Sequence, residues 1–503
     1  MIELTIDGNQ VSVESGTKIL DAALSLGISI PTMCHNGELP HFTSCMICMV
    51  KEGKGGKLIT SCSVKATQGM SITTLDDEIR EARKTALDLL LSDHVGDCQA
   101  PCQTSCPAHM DIPLMNFLLA EGKFSEAYDV VIKDIALPSI LGRICPAPCE
   151  GACRRKSVDA AVSICLLKRF TGDSPTPPPT PTSTPVTRHS SLVTSSSLVS
   201  SSSLVTHPSS LPQIAIIGSG PHGLSAAWYL QQYGYQCTIF DNNPLPGGGL
   251  RYSVPRDKLP EEVLDREIDR IRNAGAIFLM STEIGLDRLK ELEIEFDAVV
   301  HPLEKAPKMA IKASALGKEA ALKIHHKLRG QPVTDEHRNF HSHFGRLTEV
   351  EHPEYMKESV PGERVEPAGG IPQGMTPQEV MTEAARCMHC ECRKPDTCLL
   401  RIYAHEYGAD QKRYHSLARK PVTKQFQHDT VVFEPQKCIK CSICVRITAK
   451  HQEEFGLTFI GRGFDVVIGV PFSESIRKGL THTAEEAANS CPTGALAMKR
   501  WRL

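Results

Sequence analysis

The spacing of apolar and polar residues changes along the chain. The opening MIELTIDGNQVSV alternates with period two, which is typical of an edge hairpin, and is followed by a predicted helix. That helix is predicted to bury Ile19, Ala22, Ala23 and Leu26. Further along, QIAIIGSGPHGLSAAWYLQQYGYQCTIFDNN predicts a strand, a glycine turn, a helix and a second strand.

The hydrophobic periodicity and the composition divide the chain into segments. Because 503 residues are too many for one core, the predicted fold is multidomain, α+β and α/β. The predicted segments are a small β-rich domain at 1–76, a helical cysteine domain at 77–170, a Pro/Ser-rich linker at 171–212, an α/β domain at 213–330, a Pro/Gly-rich connector at 331–375, and two cysteine domains at 376–425 and 426–503. The linker composition favours an extended, flexible tether.

Charge and hydropathy exclude several classes of protein. The net charge of −3 gives no reason to expect nucleic acid or an anionic membrane surface as a partner. No stretch approaches the roughly 20 apolar residues of a membrane-spanning helix. The N-terminus also lacks the basic and apolar regions of a signal peptide. We therefore expect a cytoplasmic protein without a membrane span.

The 20 cysteines fall into groups, with only Cys237 apart. Disulfide scaffolds are usually small and secreted, so repeated C-x2-C spacing in a long chain without a secretion signal favours metal. Zinc and iron–sulfur clusters both use such pairs, and the spacings described below favour iron–sulfur. Cys237 lies on a predicted buried strand, where a core role is expected.

Four cysteines of the first domain have the spacing C-x10-C-x2-C-x13-C. Four thiolates can hold a [2Fe–2S] cluster, whereas a zinc ribbon normally has two C-x2-C pairs and this stretch has one. Together with GTKILDAALSLGISIPTMCH and CMICMV, the spacing resembles the N-terminal β-grasp domain of the large iron–sulfur subunit of respiratory complex I and of NAD-linked iron hydrogenases. The resemblance implies a [2Fe–2S] cluster on Cys34, Cys45, Cys48 and Cys62.

The helical domain carries cysteines in two loops. The stretches CQTSCP, GKFSEAY and CPAPCEGAC resemble the N-terminal domain of the small subunit of bacterial glutamate synthase, which dihydropyrimidine dehydrogenase shares. In that family the domain holds two [4Fe–4S] clusters whose ligands interleave between the loops. The resemblance implies two such clusters here.

Two ligands of this domain depart from the family pattern. His94 is a candidate for a missing cysteine, because a His-x3-Cys start also resembles the complex I subunit; the alternative is a surface residue after a helix. Lys168 stands where the family places a carboxylate or amide ligand and cannot bind iron, so Cys165 is a candidate unless it is only a buried thiol. The expected ligand sets are His94, Cys98, Cys102 and Cys153 for one cluster, and Cys106, Cys145, Cys149 and Cys165 for the other.

The α/β domain has the glycine pattern of a dinucleotide fold. Glycines at 218, 220 and 223 suit a tight turn, a close pyrophosphate and close helix packing, and an acidic residue ends the second strand. With PLPGGGLRYSVPRDKLPEEV, the stretch extends the glutamate-synthase resemblance, which implies FAD. The cofactor-binding candidates are Gly218, Gly220, Pro221, Gly223, Asp241, Gly248 and Arg251.

This domain departs from the family after EFDAVV. The family has a second glycine motif for NADPH and then a glycine–aspartate pair, but here HPLEKAPKMAIKASALGKEAALKIHHKLRG leads almost directly into the closing helix. We therefore interpret the nicotinamide domain as deleted and expect no hydride transfer from NAD(P)H to this flavin. Either FAD still binds in the remaining half-site, or the domain only spaces the cluster domains.

The stretch CMHCECRKPDTC has the spacing C-x2-C-x-C-x5-C and resembles a C-terminal extension of glutamate-synthase-like proteins. It predicts one [4Fe–4S] cluster, with zinc as the alternative. The predicted ligands are Cys387, Cys390, Cys392 and Cys398.

The last domain resembles a two-cluster ferredoxin from which one cluster has been lost. Each ferredoxin run is C-x2-C-x2-C-x3-C-P, and its fourth cysteine binds the other cluster. The positions of the second cluster hold Thr448, Thr481, Ala484 and Ala487. The ligands of the first cluster are complete: Cys438, Cys441, Cys444 and Cys491. The sequence therefore predicts a working site with one [4Fe–4S] cluster.

The predicted sites add up to five clusters, one [2Fe–2S] and four [4Fe–4S]. No catalytic residue is assigned. The resemblances imply an electron-transfer subunit that joins a flavin-bearing NADH-dehydrogenase-like subunit to a hydrogenase or formate dehydrogenase catalytic subunit. Electron bifurcation with soluble ferredoxin is part of this hypothesis. One alternative is a self-contained NAD(P)H-dependent flavoenzyme like glutamate synthase, and another is an assembly subunit with vestigial clusters.

Overall fold

The computed structural model describes residues 1–37, 39–53, 56–174, 211–305, 307–333, 339–414 and 419–499. The chain forms two compact units. Unit 1 comprises Met1–Ala100, Arg338–Lys357 and Cys390–Leu503, and unit 2 comprises Pro101–His337 and Glu358–His389. Most of the predicted linker lies outside the described residues.

The elements are numbered in chain order over the described residues. The strands are β1 Ile2–Ile6, β2 Asn9–Val13, β3 Met49–Glu52, β4 Leu58–Thr60, β5 Ser71–Thr73, β6 Gln213–Ile217, β7 Gln236–Phe240, β8 Ile277–Leu279, β9 Ala298–Val300, β10 Val431–Phe433, β11 Thr458–Ile460, β12 Val467–Gly469 and β13 Leu496–Met498. The helices are α1 Ile19–Ser25, α2 Asp77–Ser92, α3 Pro101–Ser105, α4 Ile112–Ala120, α5 Phe124–Asp134, α6 Pro138–Ile144, α7 Pro148–Ala152, α8 Ile164–Asp173, α9 Pro221–Gln232, α10 Gly249–Tyr252, α11 Glu261–Asn273, α12 Leu286–Glu295, α13 Ala310–Leu328, α14 His352–Met356, α15 Pro377–Ala384, α16 Leu399–Tyr407, α17 Ile443–Lys450, α18 Ile476–Gly479 and α19 Ala484–Ser490.

A five-stranded sheet begins unit 1, with the strand order β2-β1-β5-β3-β4. The predicted hairpin is present, since β1 and β2 pair antiparallel with Ile2 opposite Val13, and β2 lies at the sheet edge. Helix α1 buries Ile19, Ala22 and Ala23 as predicted, whereas the prediction of a buried Leu26 is wrong, because this residue lies at the C-cap and is half-buried. The mixed sheet and its single short helix form the expected small [2Fe–2S]-type domain.

A second apolar core in unit 1 joins α2 to the C-terminal cysteine segments. Helix α2 begins after Asp76, whose carboxylate accepts a hydrogen bond from the Ile79 N–H at 2.8 Å, as a helix N-cap does. Leu87 and Leu91 of α2 share this core with α16, α17 and α19. Several predicted cluster ligands belong to the same core, which brings the ligand loops of unit 1 together: Cys34, Cys45, Cys398 and Cys441.

Unit 2 contains the helical cysteine domain and the α/β domain. The α/β sheet is parallel with the order β8-β7-β6-β9, and Ile214 of β6 lies opposite Cys237 of β7. Cys237 is fully buried, as expected of a core residue, and burial raises the pKa of its thiol to about 12. Helix α8 runs to Asp173, three residues into the predicted linker. Among the described helices, none combines the length and the apolar character needed to cross a bilayer.

Candidate metal centres

All 20 cysteines lie in the described residues, and no two of them are joined by a disulfide there. In the same residues, no three His, Cys, Asp or Glu side chains are placed to hold a single metal ion. The ligands of an iron–sulfur cluster are shared among several iron atoms, so the test of each candidate set is whether its thiols face one site.

The four cysteines of the N-terminal domain converge in unit 1. Cys48 Sγ lies 3.2 Å from Cys62 Sγ. Hydrogen bonds from the Cys45 and Cys62 thiols lower the pKa of Cys34. All four cysteines are also buried, which shields their thiols from water. The set fits the four-thiolate [2Fe–2S] site that the spacing predicts.

The four cysteines of the ferredoxin domain line one small apolar cavity: Cys438, Cys441, Cys444 and Cys491. Two non-glycine residues between them adopt the left-handed conformation, Lys440 with φ 56° and Ser442 with φ 59°. Such strained backbone is typical of ligand-binding loops. It turns the Lys440 N–H toward Cys438 Sγ at 3.3 Å, as in a loop that binds a cluster sulfur.

The residues at the positions predicted to have lost a second cluster bond to other protein groups. Buried Thr448 donates its hydroxyl hydrogen to Val445 O and accepts from the Leu457 N–H at 3.0 Å. The Glu453 carboxylate accepts from Thr481, from the His482 N–H at 2.7 Å and from the Thr483 N–H at 2.9 Å. The loop that would have carried the second ligand run is therefore held by a carboxylate.

The Glu453→Gln variant tests whether the Glu453 carboxylate holds this loop in place. Burial acts to raise the pKa of Glu453, but the hydrogen bonds from Thr481 and His482 lower it to about 2, so the group is ionised at pH 7. We expect the variant to lose about 1 kcal/mol of unfolding free energy, less than the roughly 1.5–3 kcal/mol of bonds to a charged group, because the site is partly exposed. Chemical denaturation measures this loss. A neutral effect would show that the loop is held by other contacts, and Glu485→Gln, on the nearby α19, is the control.

The second set of the helical domain also converges, in unit 2. The thiol of Cys145 lowers the pKa of Cys165, but the Cys149 thiol and burial outweigh it and raise the pKa to about 11. The Cys106 thiol also interacts with Cys145. These contacts place Cys165 among the other three thiols, which supports it as a ligand.

Buried Lys168 faces this set. Its Nζ lies 3.9 Å from Cys165 Sγ, and the side chain is almost fully buried. Burial acts to lower the pKa of Lys168, but the thiolates of Cys165, Cys145 and Cys149 outweigh it and raise the pKa. The ammonium therefore stays charged beside the sulfurs that are expected to bind iron.

The remaining cysteines of this part of the chain are divided between the units. Cys102, Cys153 and Cys387 belong to unit 2, whereas Cys98, Cys390, Cys392 and Cys398 belong to unit 1. In unit 2, Arg155 Nη1 donates to Arg386 O at 2.8 Å. This bond fastens the backbone beside Cys153 to the backbone beside Cys387.

The glycine turn of the α/β domain has the predicted form. Gly218 has a φ of 95°, and a Cβ at Gly223 would stand 1.8 Å from Gly218 O, so only glycine allows this close packing. Pro221 begins α9, and Gly248 lies against the backbone of Gly220. The turn is therefore shaped for a phosphate at the start of α9.

Two predicted cofactor residues have protein partners instead. The Asp241 carboxylate accepts four hydrogen bonds, two from Ser219 at 2.7 Å and two from Asn243 at 2.8 Å, which saturates it. Arg251 donates to Pro246 O and pairs with two carboxylates, those of Glu261 and Asp265. The predicted cofactor roles of Asp241 and Arg251 are therefore not supported by their contacts.

A cavity of about 1100 Å³ opens beside the glycine turn. Its wall includes the starts of α9 and α13, the predicted cluster ligand Cys145, and the segment after EFDAVV. From that segment come Pro302, Leu303, Pro307, Lys308 and Met309. The sequence pattern predicts only a short connection here, whereas the structure makes the segment part of the cavity wall.

Three family models match parts of the chain. Residues 1–77 match a 2Fe-2S iron-sulfur cluster binding domain, and residues 91–177 match dihydropyrimidine dehydrogenase domain II with its 4Fe-4S cluster. Residues 216–274 match an NAD(P)-binding Rossmann-like domain. These matches confirm the [2Fe–2S] domain, the [4Fe–4S] helical domain and the Rossmann-like fold.

Curated relatives match up to about half of the chain. The NADPH-Fe(3+) oxidoreductase subunit beta of Geobacter sulfurreducens is 33% identical over 253 residues, which are 48% of this chain and 34% of that protein. The NADP(+)-dependent formate dehydrogenase subunit beta of Moorella thermoacetica is 35% identical over 202 residues, 40% of this chain and 29% of that protein. The small chain of Bacillus subtilis NADPH glutamate synthase is 32% identical over 215 residues, 41% of this chain and 40% of that protein. The chain thus spans well under half the length of these relatives. It is an iron–sulfur protein that joins a [2Fe–2S] domain, a [4Fe–4S] domain of the dihydropyrimidine dehydrogenase type and a Rossmann-like domain.

Proposed function

We propose that the chain is an electron-relay subunit that carries single electrons through five iron–sulfur clusters, one [2Fe–2S] and four [4Fe–4S]. The observation that carries this proposal is a direct bond between two cluster-ligand loops of unit 1. Arg446 Nη2 donates to Cys34 O at 2.8 Å and to Cys441 O at 3.4 Å, and Nη1 donates to Pro40 O at 2.6 Å. One guanidinium thus ties the [2Fe–2S] loop to the ferredoxin loop.

The packing of unit 1 supports transfer between these two sites. Cys34, Cys45 and Cys441 belong to one apolar core, so protein rather than water fills the space between the ligand loops. Electron tunnelling falls steeply with distance, which is why closely packed loops suit a relay. Clusters are one-electron centres, and the surrounding hydrogen bonds and burial set their potentials.

The relay needs a donor and an acceptor on other polypeptides. The names of two relatives describe them as beta subunits, one of an NADPH-Fe(3+) oxidoreductase and one of an NADP(+)-dependent formate dehydrogenase. We infer for this chain a flavin-bearing NADH-dehydrogenase-like partner and a formate dehydrogenase or hydrogenase catalytic partner. Soluble ferredoxin is a third candidate partner, through the C-terminal domain, in a bifurcating complex.

The cavity favours a bound flavin in addition to the clusters, and we propose FAD as its occupant. Helices α9 and α13 both begin at the cavity wall, and helix N-termini favour the negative charge of a diphosphate or a reduced flavin ring. FAD beside Cys145 would be able to accept electrons in pairs and pass them on to a cluster one at a time. The ribose would lack the Asp241 carboxylate, whose oxygens are already saturated by Ser219 and Asn243.

The Gly223→Val variant tests the flavin proposal. Its Cβ cannot fit against Gly218 O, so the glycine turn must move. We expect the flavin in acid extracts to fall below about a tenth of the wild-type amount, since 1.4 kcal/mol of lost affinity is tenfold. Gly249→Ala, at the same cavity, meets only Ser253 Oγ at 3.9 Å and should keep the flavin. Iron content should be unchanged in both variants, and wild-type protein without flavin would contradict the proposal.

Anaerobic reduction of the isolated chain tests the relay. Dithionite should bleach the cluster absorbance, whereas NADPH or NADH alone should not, because no nicotinamide site is expected in this chain. Bleaching of a bound flavin by NADPH alone would instead support the second candidate function, a self-contained flavoenzyme, which the size of the cavity favours.

A further inference from the structure

We propose that one [4Fe–4S] cluster of unit 1 is held by ligands from two distant segments: His94, Cys98, Cys392 and Cys398. The proposal rests on the proposed function, because it requires that the chain binds clusters. It differs from the division expected from the sequence, in which each cysteine segment forms its own sites.

The backbone joins the two segments at Cys98 and Cys392. The Cys392 N–H donates to Cys98 O at 3.3 Å. Both thiols are buried, and the Cys98 thiol lies close enough to interact electrostatically with the thiols of Cys392 and Cys398. The Ser342 N–H points at Cys98 Sγ from 3.4 Å, a contact that suits a cluster-bound sulfur. Three thiols from the two segments therefore face one place.

His94 has the surroundings of a metal-bound imidazole. The residue is 9% exposed, and its buried Nδ1 has no hydrogen-bond partner in the part of the chain that the structure describes. The backbone of Lys437 hydrogen-bonds to the ring, and metal-bound histidines usually fix their second nitrogen in this way. The charges of Lys437 and Glu434 act on both His94 and Cys392, so the ring and the thiol border the same small region.

Gly494 leaves room for the Cys392 sulfur. A Cβ at this position would stand 2.2 Å from Cys392 Sγ, so any other residue would displace the thiol. Gly494 follows Cys491 and Pro492 of the ferredoxin site by only a few residues. The glycine therefore brings the proposed site close to the ferredoxin ligands.

Two further bonds connect the proposed site to the ferredoxin site. The Leu399 N–H, next to Cys398, donates to Pro492 O at 2.8 Å. Lys394 Nζ donates to Cys491 O at 2.7 Å. The ferredoxin loop thus touches the [2Fe–2S] loop through Arg446 and the proposed site through these bonds. Unit 1 would then hold three clusters, with the ferredoxin cluster between the other two.

Paired ligand deletions in the full chain separate this ligand set from the division by segments. The Cys98→Ala/Cys398→Ala variant should lose about four iron atoms, because both changes remove the same cluster. The Cys98→Ala/Cys102→Ala variant should lose about eight, because the changes remove two clusters. Losses of about eight and about four, respectively, would overturn the proposal. If a double variant also loses the [2Fe–2S] signal, its iron count no longer identifies the ligand set, and the single variants are compared instead. Cys98→Ala and Cys398→Ala should then abolish the same EPR signal, and different signals would overturn the proposal.

The histidine has its own spectroscopic readout. Pulsed EPR of the reduced wild-type protein should show a directly coupled ¹⁴N on one [4Fe–4S] signal, the same signal that Cys398→Ala removes. His94→Cys should keep the iron content and lose the ¹⁴N coupling. A coupling that persists in His94→Cys, or that belongs to a signal unaffected by Cys398→Ala, would overturn the assignment. Wild-type protein without clusters would instead overturn the proposed function itself.

Discussion

The Lys168→Met variant is expected to lower the midpoint potential of one [4Fe–4S] cluster by about 60–130 mV, because losing a hydrogen bond to a charged group costs about 1.5–3 kcal/mol and 59 mV corresponds to tenfold for one electron. The ammonium is buried 3.9 Å from Cys165 Sγ. A cluster gains negative charge on reduction, so a nearby positive charge favours the reduced state. Methionine keeps the length of the side chain and removes the charge.

An EPR-monitored redox titration measures this shift. The matched control is Lys323→Met, which removes an exposed lysine of α13 that pairs with Glu319. The control should leave all potentials unchanged. An unchanged potential in Lys168→Met would show that the Cys106, Cys145, Cys149 and Cys165 set does not hold a redox-active cluster next to this lysine.

The Arg446→Leu variant is expected to slow electron transfer between the [2Fe–2S] site and the ferredoxin site. The guanidinium donates to carbonyls of both ligand loops, and leucine leaves those carbonyls without this partner. We also expect a loss of about 1.5–2 kcal/mol in the unfolding free energy of unit 1, the lower part of the roughly 1.5–3 kcal/mol of bonds to a charged donor, because the side chain is partly exposed.

Rapid-freeze EPR after a substoichiometric addition of reductant follows the two signals in time. In the wild type they should equilibrate within the first sample, whereas in Arg446→Leu the [2Fe–2S] signal should change later than the ferredoxin signal. Arg477→Leu removes an exposed arginine paired with Asp429 in the same unit and should behave as the wild type. Equal kinetics in all three proteins would mean that Arg446 does not set the spacing of these clusters.

Local patterns predict the fold of the first domain, the helical cysteine domain and the Rossmann-like domain. Alternation at the N-terminus, the glycine turn before α9 and the buried face of α1 depend on neighbouring residues, so spacing alone reveals them. The absence of a second ferredoxin cluster is predicted in the same way, because Thr448, Ala484 and Ala487 stand at fixed offsets from the cysteines expected to bind the first, and it stays a prediction.

Contacts between residues far apart in the sequence could not be predicted from local patterns. Nothing near Cys98 indicates that its carbonyl meets the Cys392 N–H, since that contact depends on how distant segments pack. Asp241 stands at the position typical of a ribose ligand, but Ser219, itself part of the glycine turn, occupies its carboxylate. Whether a protein group or a ribose binds this carboxylate depends on three-dimensional geometry, which a sequence motif does not specify.

Metal analysis with Mössbauer spectroscopy of the anaerobically purified full chain measures the number and type of its clusters. We expect about 18 iron atoms for each chain, from one [2Fe–2S] and four [4Fe–4S] clusters, with a matching amount of acid-labile sulfide. A colourless protein that carries zinc in place of iron would contradict it.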